Sequence, residues 1–132
     1  ALPHAPERLF YLDNAVIRGL KVYNVETQSD IPVYDLGAAA GRDPYEMFLG
    51  GARSIIKITN PNAAQERRLI VFRDSFGSSI APLLAAGYSE ITLVDIRYIS
   101  PLSLGKLIDF TKADDVLFLY SASVINNSET IK

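Results

Sequence analysis

The sequence predicts an α/β fold, a three-layer sandwich with a mostly parallel sheet preceded by an N-terminal β-hairpin. Three observations predict it. Residues 68–120 run strand, helix, strand, helix, strand with apolar strands, a pattern that requires right-handed crossovers and parallel pairing. Residues 20–36 instead show two strand-period stretches around a polar turn. Finally, 132 residues with 48% hydrophobic and 21% charged side chains suit one globular domain with a sizeable core.

Each element follows from local signals. Residues 1–18 are mixed, with Pro3 and Pro6, and the run 9–18 reads as a short helix or an irregular cover. Leu20-Lys-Val-Tyr-Asn-Val alternates with strand period, residues 26–30 are a polar turn, and Ile31-Pro-Val-Tyr-Asp-Leu returns. Pro32 cannot donate to a ladder, so the returning strand belongs at a sheet edge. A short helix starts at Asp43, with Pro44 in first position and Glu46 third, and Gly50-Gly51 ends it. A strand covers 54–59, and Asn60-Pro61 opens a polar loop to Arg67.

The regular half then begins. A strand over 68–72 leads through 73–78 into a helix over 79–86 that stops at Gly87. A strand over 90–96 follows, then Ser100-Pro101 as cap and first turn of a helix near 101–111, and a last strand over 116–120. The whole is one domain, 1–132, with residues 1–67 as hairpin and cover segments and residues 68–132 as a parallel β-α-β-α-β core.

Several function classes are disfavoured by composition. A net charge of -2 gives no electrostatic reason to expect a nucleic-acid partner. No apolar run reaches the roughly 18 to 20 residues of a membrane span, and no basic-then-apolar leader opens the chain. The chain starts at Ala1 rather than Met, as a processed or excised piece would. With no cysteine, no His/Asp/Glu cluster at metal spacing, and no Walker or dinucleotide glycine pattern, neither a metal nor another cofactor is expected.

The stretch Leu69-Ile-Val-Phe-Arg-Asp-Ser-Phe-Gly-Ser-Ser79 is where chemistry concentrates. It reads as a buried strand that ends at Arg73, presents Asp74 and Ser75, and turns through Phe76 and Gly77 into a helix. Ligands in open α/β sheets bind at the carboxyl ends of strands. Ser75 there is a candidate nucleophile near the free N–H groups of a helix start, which suit an oxyanion or a phosphate. Gly77 permits close backbone approach, and the Ser78 and Ser79 hydroxyls are placed to cap the helix. The plainer reading, a well-capped strand-to-helix turn, stands beside the catalytic one on equal terms.

Asp95 and Arg97 follow the next strand, so a parallel sheet sets them on the same rim as Asp74 and Ser75. They either orient a polar substrate or pair with each other and with Arg73, and residue type favours pairing. Ser121, Ser123, Asn126 and Asn127 follow the third strand. Asn126 has an amide able to donate to an oxyanion, although asparagine is more often a turn residue. The tyrosines, Tyr45 and Tyr98 among them, read as amphipathic packing residues. A serine nucleophile needs a base. The sole histidine, His4, lies in a proline-flanked terminus, where a catalytic role is not expected.

Three blocks taken together, Asp43-Pro-Tyr-Glu-Met-Phe-Leu-Gly-Gly51, Leu69 to Leu84, and Tyr88-Ser-Glu-Ile-Thr-Leu-Val-Asp-Ile-Arg-Tyr98, resemble the bacterial DHHW family of SGNH-hydrolase-like proteins. The resemblance runs from about Leu9 to the end. It implies the SGNH or flavodoxin-like half-fold and a serine esterase or O-acyltransferase site, with Ser75 as nucleophile and its N–H in the oxyanion hole. Carbohydrate O-acyl esters of the cell envelope are the implied substrates, at an extracellular or cell-surface location. In the family, an upstream Asp-His-His-Trp motif supplies the base, and this sequence lacks it. The chain is therefore expected to be the C-terminal part of a longer protein, inactive alone, with a sheet edge open to self-association. The alternative is a non-catalytic module that binds an envelope glycan.

Overall fold

The structure, a computed structural model, describes residues 8–127. After a one-turn helix α1 (Ala15–Arg18), capped by Asn14, come strands β1 (Lys21–Asn24) and β2 (Ser29–Ile31). Strands β3 (Ile55–Thr59) and β4 (Arg68–Arg73), helix α2 (Gly77–Leu84), strand β5 (Glu90–Val94), helix α3 (Pro101–Leu107), strand β6 (Asp115–Leu119) and helix α4 (Ala122–Asn126) complete the order. Short 3-10 turns cover Ala38–Ala40, Pro44–Met47 and Phe110–Lys112.

One six-stranded sheet has the order β2-β1-β3-β5-β4-β6. It is mixed, which corrects the mostly parallel sheet expected from sequence. β4 pairs in parallel with β5 and with β6, whereas β1 with β2, β1 with β3, and β3 with β5 are antiparallel. The physical reason is the connections. Only the segments after β4 and β5 contain crossover helices, and the first half of the chain has short turns and irregular loops that reverse direction.

Strand alternation sends side chains to two cores. Val22, Ile56, Ile58, Leu69, Val71, Ile91 and Leu93 face α2 through Ala81 and Ala85. Ile55, Ile70 and Val94 face α3 through Leu104 and Ile108. The full layers of the expected sandwich are not built among the described residues. A helix of eight residues covers one face and one of seven covers the other, and Val116, Leu117 and Phe118 of β6 remain exposed.

Local differences have local causes. The hairpin turns earlier than its polar residues suggest, with Gln28 at φ 51, and β2 ends at Ile31, immediately before Pro32. The returning segment 32–36 makes a single bridge, Tyr34 to Phe48. Asp43 caps the next turn as expected, accepting from Tyr45 N at 3.0 Å, but the turn is 3-10 and ends in the left-handed run Leu49, Gly50, Gly51. Leu49 holds φ 54 while fully buried, anchored by its N–H to Val33 O at 3.1 Å. No helix among the described residues is long and apolar enough to cross a membrane.

Candidate active site

The carboxyl ends of β4, β5 and β6 meet, and the segment 43–52 folds over them. Between them lies a cavity of about 400 Å³ lined by Asp43, Tyr45, Glu46, Gly51, Ala52, Ser75, Phe76, Arg97 and Tyr98. Gly51 has to be small here: it sits at φ +80 and a Cβ would approach Glu46 Cγ to 3.2 Å.

The serine turn is held from below by Asp74. Its Oδ1 accepts from Phe76 N at 3.0 Å and its Oδ2 from Ser121 N at 2.6 Å. Burial pushes the Asp74 carboxyl up, but the hydrogen bonds from Ser121 and Phe76 and the charge of Arg97 outweigh it, and the group stays below its ordinary value. Asp74 thus ties the turn to the end of β6, with both of its oxygens accepting from backbone amides. This is also why α2 starts at Gly77, two residues before the position expected from sequence: the Asp74 carboxylate, not a serine hydroxyl, satisfies the entering amide. Ser78 Oγ is buried without a hydrogen bond among the described residues, and Ser79 Oγ bonds Phe76 O and Tyr45 OH instead.

The amides of this turn can be accounted for one by one. Asp74 N donates to Leu119 O, Phe76 N to the Asp74 carboxylate, Gly77 N to Asp74 O, Ser78 N to Ser75 O and Ser79 N to Phe76 O. Ser75 N–H has no partner among the described residues, and neither has the Ser75 hydroxyl. Ser75 is half-buried and lines the cavity.

Beneath the turn lies a buried ionic cluster. Arg73 and Asp95 are both 0% exposed, with Arg73 Nη1 at 3.9 Å from Asp95 Oδ2. Arg97 grips the same carboxylate through Nε to Oδ1 at 2.9 Å and Nη2 to Oδ2 at 2.7 Å. Those hydrogen bonds raise the Arg97 guanidinium, whereas burial pushes that of Arg73 down. Gly77 lies directly on Arg73: a Cβ there would sit 2.6 Å from Arg73 Cβ. Burial also raises the Tyr120 hydroxyl, with Asp95 and Asp74 adding to the effect.

The structure brings Ser75, Phe76 and Arg97 onto one cavity and buries Arg73, Asp74, Gly77 and Asp95 immediately below it. Asn126 does not join them: it ends α4, exposed and outside the cavity lining. His4 lies outside the described residues. Sequence reasoning missed the opposite wall. Tyr45, read as packing, donates to Phe76 O at 2.9 Å and contacts the Phe76 ring at 5.8 Å, and Tyr98 lies on the rim with Arg97 over its ring. The Asp43-Pro44 cap could locate the Tyr45 turn. Only the tertiary fold shows that this turn covers Ser75.

The chemistry open to this arrangement is nucleophilic: Ser75, whose hydroxyl and amide have no partner among the described residues, lines a cavity beside a guanidinium paired with a buried carboxylate. No family model matches the sequence, and no curated protein does. Solved structures do. PatB1 of Bacillus cereus matches with a TM-score of 0.63 at 28% identity over 80% of this chain and 38% of that one, in a structure with a sulfonyl adduct. A second PatB1 structure gives 0.62 at 28% over 80% and 36%. A DHHW family protein from Eubacterium siraeum gives 0.62 at 27% over 86% and 39%. The chain thus spans less than two fifths of the length of these proteins.

Proposed function

From the chain's relationship to the DHHW family, we propose that it is the C-terminal part of an SGNH-like serine esterase or O-acyltransferase acting on carbohydrate esters of the cell envelope, outside the cell or on its surface. The observation that carries this reading is the Ser75 hydroxyl and the Ser75 N–H, both without a partner among the described residues, in a turn whose other amides are all occupied.

In the reaction, Ser75 Oγ attacks the ester carbonyl carbon and gives its proton to a base. The carbonyl electrons move onto oxygen, where the Ser75 N–H stabilises them. Collapse of that intermediate breaks the ester C–O bond as the protonated base returns its proton to the leaving alcohol. The acyl-serine then passes its acyl group to water or to a sugar hydroxyl, whose proton goes through the base back to Ser75 Oγ. Asp74 holds the turn, and Arg97 with Asp95 shapes the adjoining rim. The base comes from outside the described residues, as the family resemblance implies. The sulfonyl adduct of a PatB1 structure supports the reading, because a sulfonyl group attaches to an activated nucleophile. The Tyr45, Phe76 and Tyr98 rings, with the Asp43 and Glu46 carboxylates among them, suit a sugar.

The same rings favour a second reading, a glycan-binding module without catalysis. A fluorophosphonate probe with mass spectrometry separates the two, applied to this chain and to Ser75→Ala with and without added imidazole as a surrogate base. The expected result is an adduct on Ser75 that depends on imidazole and is absent from the variant. No adduct in imidazole, with glycan binding retained, moves the assignment to the binding module.

A further inference from the structure

The two edges of the sheet are built differently. β2 is three residues long, polar in Ser29 and Asp30, and closed by Pro32, so it discourages further pairing. β6 carries none of these guards. Its sequence Asp115-Val-Leu-Phe-Leu119 has no lysine, proline or bulge, and the one carboxylate is engaged by Arg67 and Tyr88.

Three apolar side chains of β6 are exposed, two on one face and one on the other, while Leu119 packs against the α2-side core. Val116 and Phe118 stand opposite Ile70 and Phe72 on the α3 side, 48% and 69% exposed, and Leu117 stands opposite Val71 on the α2 side. Phe118 stacks on Phe72 at 4.9 Å and Phe72 on Phe110 at 6.2 Å, which extends the exposed apolar surface towards α3. Leu119 O accepts from Asp74 N, so Asp115, Leu117 and Leu119 turn their backbone groups to β4. The N–H and C=O groups of Val116 and Phe118 therefore point away from the sheet. A continuous apolar run with exposed side chains on both faces and an open ladder is the signature of an interior strand.

The geometry points to one occupant: a further β-strand of the same polypeptide, from outside these 132 residues, that pairs with Val116 and Phe118 and brings apolar cover to both faces. Size argues against a second copy. A five-residue strand is only about 16 Å long, and on its own it offers a fraction of the roughly 1,600 Å² that stable complexes bury. A tethered strand needs far less area, since its effective concentration is high. The greater length of the solved relatives, of which this chain spans 36 to 39%, is consistent with such a strand; here the inference rests on the family reading.

The test is hydrogen exchange, read at residues 116–119, on the full-length gene product and on this 132-residue chain, with sedimentation velocity on the latter. The expected result is a monomeric chain in which the Val116 and Phe118 amides exchange freely, and protection of those two amides by about a hundredfold or more in the full-length protein. Free exchange in both overturns the proposal. So does concentration-dependent association of the short chain that protects the same amides, which would assign the edge to a second copy. Neither readout depends on Ser75 chemistry, so failure here leaves the catalytic reading to its own test.

Discussion

The sheet has a cavity at each end, and the two are instructive together. The one at the amino ends of β4 and β5, about 290 Å³, is lined by Lys57, Arg68, Glu90, Thr92, Asp109 and Lys112 among others. It is comparable in size to the serine cavity and richer in charge. Yet its one ion pair, Lys112 to Asp109 at 3.7 Å, joins two side chains that are more than half exposed, and such pairs hold little in place. At the carboxyl end Asp43 and Glu46 are exposed on the cavity wall, but Asp74 and Asp95 beneath it are buried and engaged by named donors, and the Ser75 amide is left without a partner among the described residues. What distinguishes a site from a dent is therefore preorganisation rather than volume or charge.

Gly77→Ala tests that contrast most severely. Its Cβ would collide with Arg73 at 2.6 Å, and a loss of about 3 kcal/mol in urea unfolding is expected. A loss below about 1 kcal/mol would mean that Arg73 swings aside and the carboxyl end is no more rigid than the other. Asp74→Asn comes next, at about 2 kcal/mol, the worth of hydrogen bonds to a charged acceptor. Against its burial, the hydrogen bonds from Ser121 and Phe76 hold the folded carboxyl below the ordinary aspartate range. Its stabilisation is complete above that range and is lost as pH falls towards the lower folded value. The variant should lack this share of the acid-side decline, seen by comparing unfolding at pH 7 and below pH 4.

Gly105→Ala is the counterpart in α3, where an added Cβ meets nothing within 4 Å. Helix propensity should make it stabilising by about 0.5 kcal/mol; a destabilised variant would show hidden packing near the amino-end cavity. The smallest effects belong to Lys112→Ala and Ser75→Ala, each within about 0.5 kcal/mol by thermal unfolding. They differ only in reactivity: the first should keep imidazole-dependent labelling of Ser75 and the second should lose it.

Periodicity and punctuation located most of the elements. The Leu69 to Ser79 block placed Ser75 at a strand's carboxyl end because apolar runs, an acid and a glycine are local signals. The antiparallel pairing of β1 with β2 was legible from the polar turn between them, but the direction of β3 was not, since its apolar run is the same whichever way a neighbour runs. α4 was missed because Ala122-Ser-Val-Ile-Asn126 is short and carries neither a glycine stop nor a long apolar stripe. Asp74 reads from sequence as a neighbour that shapes the Ser75 turn, but that its oxygens hold two amides depends on where β6 ends, forty-seven residues on. Tyr45 is in the same position, as its partners lie 31 and 34 residues away.

The Asp74 to Ser121 hydrogen bond has a consequence beyond holding a loop. Ser121 directly follows Leu119 and Tyr120 at the end of β6, so the edge strand and the Ser75 turn share a strut of 2.6 Å. A strand that settles β6 also settles the amide that Asp74 grips. By thermodynamic linkage, whatever the docked strand does to ligand affinity at Ser75, a ligand at Ser75 does to the affinity of the strand, by the same factor. On the proposed reading, completion of the sheet and ligand binding at Ser75 are then two sides of one equilibrium.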